Sequence, residues 1–352
     1  MARSALSLLS FSLCLLHSQA SAISIVLDFS HDAATDNFFA SNPTALASVE
    51  KARDDLQSVI STTLAAISSD TITGTSGSTS ATYDFSLDYT NPSTGAAESI
   101  ALSTLPANQV TIFVGMRELT GAILGQGGPG GIGISVSGTG FASEWADAVT
   151  ATNALANDQR LRGGGPVINT LSGTVTADGF PGFVSVSYGL AVSNLWFDID
   201  TDNNTIADDS STLSAYWHFD AFSPVAPGKA DLYSVALHEM MHAIGIGVSE
   251  SWFDLVSGTD WLGSNVISLL DTGNDVIDDG GGHISTALVS TRISDGSAQD
   301  PVMSPSIFFG QRKTLTVLDV AFLNDIGLTT VPEPSSLLLL GIGTLGLGRR
   351  RR

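Results

Sequence analysis

Five residues constrain the chain more than any others: His238-Glu239-Met240-Met241-His242, set within residues 231–244. The segment reads as a helix, with Asp231 as its cap, an apolar body and Gly245 as its stop. Histidines at positions i and i+4 lie on one helix face, so their imidazoles converge on a single metal ion. Zinc at such a site lowers the pKa of a bound water to about 7. Glu239, between the two histidines, is placed to take that proton and pass it to a leaving amine.

The ends of the chain bear on where this chemistry would operate. Arg3, an apolar run over residues 6–16 and Ala20-Ser21-Ala22 form the three parts of a secretory signal peptide, residues 1–22, with a mature start near Ile23. Cys14, the only cysteine, lies in that leader, and its context lacks the small residue a lipoprotein cleavage site needs before it. The exported chain therefore has no disulfide, no thiol nucleophile and no cysteine ligand, although export would permit disulfides. At the other end, Val331-Pro332-Glu333-Pro334, an apolar run over residues 337–348 and four terminal arginines resemble the PEP-CTERM sorting signal of Gram-negative envelope proteins. That resemblance implies recognition by an exosortase, removal of residues 331–352, and release or attachment at the cell surface or in the extracellular matrix. The apolar run is shorter than the roughly twenty residues that span a bilayer, which suits a transient membrane anchor.

Between the ends, residues 23–330 show no repeat and no long linker, and one domain with two lobes is expected. A hydrophobic content of 43% with 14% charged residues excludes a disordered chain. A net charge of −21 is opposite in sign to a nucleic-acid footprint, so no nucleic-acid partner is expected. Residues 23–29 read as a first strand, and residues 43–67 as an amphipathic helix with Pro43 in its first turn. Residues 68–82, nearly all Ser, Thr, Gly and Asp, read as an exposed loop or hairpin. Strands are expected at 83–89, 99–103, 110–114, 183–188 and 195–199.

Two further motifs compete for ligands. Gly125-Gln126-Gly127-Gly128-Pro129-Gly130 has the spacing of a dinucleotide-binding turn, but Pro129 and the glycines after it block a helix there. No acidic residue about 20 positions on is placed as that motif needs, so a flexible loop near the cleft is expected. Asp198-x-Asp200-x-Asp202 has the opening of a calcium loop, with Asp209 twelfth. Asn203 stands where glycine is usual, and Asp209 where glutamate is usual. A calcium site on Asp198, Asp200 and Asp202 and a solvated acidic turn are both open readings.

The sequence from His238 to Gly245 resembles the zinc-binding helix of the metzincin clan of metalloproteases. Most of that clan place a third histidine three residues after the glycine, where this chain has Val248. Leishmanolysin-like members carry an insertion before the third ligand, and their Met-rich helix is similar. Elimination leaves few alternatives. A downstream glutamate ligand is excluded because after Glu250 the next is Glu333 in the tail. His283, approached by Asp278-Asp279-Gly280-Gly281-Gly282, is the favoured third ligand; Asp254, Asp260 and His218 stay open. His218, in an aromatic run, reads first as a packed strand residue. Asp300-Pro301-Val302-Met303-Ser304-Pro305 looks like the methionine turn that underlies a metzincin zinc site, with Met303 as its methionine. Thr316-x-x-Asp319 then opens a helix ended by Gly327, expected to close the lower lobe against the 231–244 helix.

Residues 231–328 as a whole resemble secreted bacterial metalloproteases that bear this sorting tail. The resemblance implies an α+β, metzincin-like fold, with an upper lobe of sheet plus zinc helix and a smaller C-terminal lobe. It further implies a zinc endopeptidase acting on a peptide or protein laid along an edge strand, with His238, His242 and His283 as ligands and Glu239 as base. The rival is a non-catalytic envelope or matrix protein that retains a zinc-binding helix.

Overall fold

The computed structural model describes residues 22–331 apart from Ser103 and Asp178. The expected leader (1–22) and sorting tail (331–352) thus lie outside the described residues, save for Ala22 and Val331. Strand β1 (Ser24–Asp28) leads through two short helices, α1 (Ser30–Ala34) and α2 (Phe38–Ser41), into the long α3 (Pro43–Ser58). Pro43 occupies its first turn, where the missing N–H has no intrahelical partner to lose. The helix stops well short of residue 67. Val59, Ile60, Thr62 and Thr63 are β-branched and lose side-chain freedom in a helix. Ile60 bridges Thr330 and Ile67 bridges Leu105 instead.

The Ser/Thr-rich segment folds as a hairpin of β2 (Thr71–Ser76) and β3 (Thr79–Thr90), turning at Gly77 with φ +54°. Along β3 the alternation is strict: Ala81, Tyr83, Phe85, Leu87 and Tyr89 are buried while the residues between them are not. Strand β4 (Ala97–Ala101) pairs with the second half of β3, and β5 (Gln109–Arg117) pairs in parallel with β1.

The glycine run expected as a flexible loop is β6 (Gly125–Pro129), followed at once by β7 (Gly131–Thr139). The chain changes sheets at Gly130, where a Cβ would press on the Val192 side chain and the Asp88 carbonyl. Then come α4 (Trp145–Arg160), the hairpin of β8 (Asn169–Ala177) with β9 (Phe180–Tyr188), and β10 (Val192–Asp198). Neither α4 nor β8 is foreseen from the sequence. The buried face of α4 is built mainly of Ala148, Val149, Thr152 and Ala156, too small and polar for a clear apolar stripe.

Strands β1–β7 and β10 make two four-stranded sheets, and β8 with β9 forms a separate two-stranded one. One of the four-stranded sheets runs β1-β5-β10-β6, with β1, β5 and β10 parallel and β6 antiparallel on the edge. β10 is buried along its whole length, as a strand covered on both faces must be. In the other sheet β3 pairs with β2 and β4 on one side and β7 on the other. Helix α4 packs against this sheet and against β9. The architecture mixes helices and sheets and closes no barrel among the described residues.

After β10 the chain forms α5 (Ser210–Tyr216) and the motif helix α6 (Leu232–Ala243), which packs against α3, β6 and β10. The remainder holds the short α7 (Glu250–Phe253), α8 (Ser264–Leu270) and α9 (Val317–Asp325). Thr316 and Asp319 form the foreseen capping box, but α9 packs on α8 rather than chiefly on α6. Phe322 of α9 meets Trp252 and Trp261 at ring-centroid distances of 5.3 and 4.7 Å. Bonds from Ser61 N to Thr329 O (2.8 Å) and from Val331 N to Val59 O (2.9 Å) tie the last described residues back to the early chain.

Candidate metal centre

Helix α6 is fixed at both ends before any ligand is considered. Asp231 caps it by accepting from Ser234 N, and its carboxylate is fully buried against Arg312 (Nη2 to Oδ1 2.7 Å, Nε to Oδ2 3.0 Å). The same guanidinium donates to the carbonyls of Asp220, Ala221 and Ser223. All twelve residues of α6 are buried. At its far end Gly245 (φ +114°) and Gly247 (φ +77°) adopt backbone conformations closed to most other residues. That reversal brings the Ile246 carbonyl under the His242 ring.

His238, His242 and His283 converge, each offering a ring nitrogen, with all three atoms within 4.8 Å of one another. His238 Nδ1 donates to Val302 O and His242 Nδ1 to Ile246 O, both at 2.8 Å. His283 Nδ1 stands 3.6 Å from Asp278 Oδ2, and Asp278 Oδ1 accepts from His283 N at 3.1 Å. A carbonyl can only accept, so the Nδ1 atoms of His238 and His242 carry the protons and their Nε2 lone pairs are bare. The negative Asp278 carboxylate near His283 Nδ1 favours the same tautomer there. Burial pushes all three imidazoles below their ordinary range, His242 to about 4, so the neutral form is favoured.

His242 Nε2 and His283 Nε2 are 3.2 Å apart. Two bare lone pairs facing at that distance repel unless a cation lies between them. Tetrahedral zinc with nitrogen at 2.0–2.1 Å sets its ligands about 3.3 Å apart. The donor set and its spacing thus fit zinc.

Glu239 is 8% exposed and lies against β6. Burial pushes its carboxyl up to about 8, opposed by the Gly127 N–H. A Cβ on Gly127 would overlap the Glu239 carbonyl oxygen, and one on Gly125 would come within 2.8 Å of Val235. The glycines of β6 therefore let an edge strand lie directly on the motif helix. Bonds from Gly130 N to Val192 O and from Asp198 N to Leu124 O fix the even-numbered residues as those bonded to β10. By that alternation the N–H and C=O of Gly125 and Gly127 turn away from the sheet, towards a cleft of about 970 Å³ that holds the three histidines and Glu239.

Met303 is fully buried, and its turn connects two of the histidines. Val302 O holds His238, while Met303 O accepts from Ile284 N (2.9 Å), next to His283. The buried Asp319 carboxylate clamps the turn from behind, accepting from Val302 N, Met303 N, Thr316 N and the Thr316 hydroxyl. Read in sequence as a helix cap alone, Asp319 also supports the turn at Val302 and Met303. Trp252 Nε1 donates to Gly281 O at 2.7 Å and so pins the glycine approach to His283. Nothing in the sequence pattern marks that bond.

The remaining candidates lie elsewhere. His218 is in a two-residue strand and bonds to Asp220 O, Asp254 closes α7, and the Asp260 carboxylate accepts from Asp275 N. None belongs to a converging group among the described residues. The acidic loop also differs from its expected form. Asp198 turns inward to accept from Leu119 N and Asp200 N, and Asp209 caps α5 by accepting from Ser211 N and Thr212 N. The group that converges is Asp200, Asp202 and Asp208.

Residues 330–352 match the PEP-CTERM protein-sorting motif. This sorting motif indicates export and cell-surface sorting in a Gram-negative bacterium, and implies recognition by an exosortase-type processing enzyme. No curated protein and no solved structure matches the chain.

Proposed function

We propose that the chain is an exported zinc endopeptidase of metzincin-like α+β architecture, with His238, His242 and His283 as ligands and Glu239 as proton carrier. The observation that carries the reading is the set of inward-facing imidazole nitrogens beside a buried glutamate, under an open sheet edge. Zinc held there supplies a Lewis acid that brings a bound water to a pKa of about 7 and polarises a carbonyl.

The protein supplies the rest. The outer edge of β6 receives an extended peptide as an added strand, its main chain aligned by Gly125 and the Gly127 carbonyl. Glu239 takes a proton from the attacking water and returns it to the departing amine. Its burial raises the proton affinity needed for that return. Val302 O, Ile246 O and Asp278 keep the three rings turned inward. Met303 serves as the methionine turn of this reading.

The test is Glu239→Ala. It is expected to retain zinc and to lose peptide hydrolysis by at least about a hundredfold. Hydrolysis at the wild-type rate removes the mechanism. Zinc binding by a wild-type chain that cleaves no peptide in a broad library leaves the non-catalytic envelope protein as the reading.

A further inference from the structure

The cleft does not end on the histidine side of the sheet. Its lining passes around the edge strand β6 to Gln126 and Trp196. A Cβ on Gly125 or Gly127 would meet α6, so Gln126, between them, faces the opposite side. Trp196 is the cross-strand partner of Gln126 and stands on that same side. So does Arg117 of β5, whose guanidinium carbon is 3.9 Å from the centre of the Trp196 ring. Arg117 Nη2 is 3.5 Å from Gln126 Oε1, which also accepts from Trp196 Nε1 at 3.2 Å.

Arg117 stands apart from the other arginines among the described residues. Arg53, Arg292 and Arg312 each pair with a carboxylate, while Arg160 and Arg162 are buried and donate to backbone carbonyls. Arg117 is half-buried, and its one acceptor within hydrogen-bond reach among the described residues is the neutral Gln126 amide. Asp36 and Glu118 line a neighbouring hollow with it, yet neither pairs with it. Stacking on Trp196 takes the flat face of the guanidinium and leaves its N–H edge open to a planar acceptor. Gly95 (φ +74°) makes room for that pose, since a Cβ there would come within 2.6 Å of Arg117 Nη1.

A strand added to β6 carries the side chain aligned with Gln126 on the Gln126 side, with Cβ atoms about 5 Å apart. Resting on the endopeptidase reading, we infer that Arg117 is a specificity-determining residue: it receives the carboxylate of a glutamate in the bound peptide, at the position aligned with Gln126. Glutamate has the length of glutamine, so it lies beside Gln126 and offers the guanidinium a charged, bidentate acceptor in place of an amide oxygen. A lysine at that position sets like charges together. The preference is local: in a chain of net charge −21, an acidic peptide gains nothing from the overall field.

The experiment uses the zinc-loaded full chain bearing Glu239→Gln, titrated by calorimetry with one apolar peptide that carries Glu, Gln or Lys at each position in turn. At one position Glu is expected to bind at least about tenfold more tightly than Gln, and Lys more weakly than either. Arg117→Gln is expected to erase the difference between Glu and Gln, and Arg117→Glu to make Lys the preferred residue. Both variants are expected to bind the Gln peptide as the parent does, which separates lost recognition from lost fold. Equal binding of Glu and Gln peptides at every position, a Glu preference that survives Arg117→Gln, loss of Gln-peptide binding in both variants, or binding of no peptide overturns the inference. Wild-type cleavage of the same peptides tests the reading beneath it. Glu-selective binding without cleavage removes the endopeptidase and leaves Arg117 as the contact for an acidic peptide, whereas cleavage indifferent to Glu and Gln removes the role of Arg117 alone.

Discussion

Among the described residues, two groups of side chains bring three potential ligand atoms within 4.8 Å: His238, His242 and His283 under β6, and Asp200, Asp202 and Asp208 in the loop after β10. The histidines direct Nδ1 outward to two backbone carbonyls and a carboxylate, which leaves Nε2 atoms aimed inward without protons. The aspartates spend their oxygens at home. Asp200 accepts from Asn204 N and Thr205 N, Asp202 from Asn204 N and Nδ2, and Asp208 from Thr201 N and its hydroxyl. Convergence alone is therefore weak evidence for a metal. What separates the groups is whether the converging lone pairs already have donors, since a hydrogen-bonded carboxylate turn is complete without a cation.

The largest effect expected from this difference is in metal content. The full chain should carry about one zinc, most of it lost in His283→Ala and retained in Asp202→Asn. Elemental analysis of the three proteins side by side decides the matter. Equal zinc in the parent and His283→Ala would break the comparison. A calcium-dependent rise in Tm that is absent from Asp202→Asn would show that the aspartate loop gives up its internal hydrogen bonds for an ion.

A second effect concerns the carboxylate behind the histidines. Asp319 is fully buried, and burial pushes its pKa up, yet four donors converge on it and one of them belongs to Val302, whose carbonyl orients His238. Asp319→Ala leaves those donors unpartnered in the interior, at a cost of about 3 kcal/mol. Urea unfolding measures that loss. A cost below about 1 kcal/mol would mean that the turn at Val302 and Met303 is held by packing alone. Zinc affinity should fall with stability in this variant, whereas a substitution in the aspartate loop should leave affinity unchanged.

Legibility of the sequence follows the same division. His238, Glu239, His242, the Asp231 cap and the Gly245 stop are readable because one helix carries them all, and a 3.6-residue period turns spacing into geometry. His283 is reachable by elimination, since the chain has few histidines and the glycines before it mark a turning approach. The β6 edge is misread as a loop because glycine carries no strand propensity. Its place in the sheet comes from tertiary contact, in which Gly127 lies on the Glu239 backbone. Asp319 is half legible: the capping box is a local pattern, whereas its bonds to Val302 and Met303 join residues 16 and 17 positions apart. Counting places Asp209 twelfth in a calcium-loop spacing, one of two readings the sequence leaves open, and two short local bonds make it a helix cap. Local hydrogen bonds compete with any ligand pattern that uses the same side chain.

Asp209 supplies the smallest effect and a pH signature. Its exposed carboxylate accepts from Ser211 N at 3.0 Å and Thr212 N at 2.8 Å at the start of α5, and the Thr212 N–H chiefly holds its pKa below the ordinary aspartate range. A carboxyl whose pKa is depressed in the folded state stabilises the fold above its unfolded pKa, and that contribution is lost as pH falls through the folded value. Asp209→Ala should therefore lower Tm slightly at neutral pH, and the gap from wild type should close as pH drops below about 3.8. Thermal melts of both proteins across that range check it. If Asp209 instead ligates a cation, calcium should widen the neutral-pH gap and a chelator should narrow it; a gap indifferent to both leaves the residue as a cap.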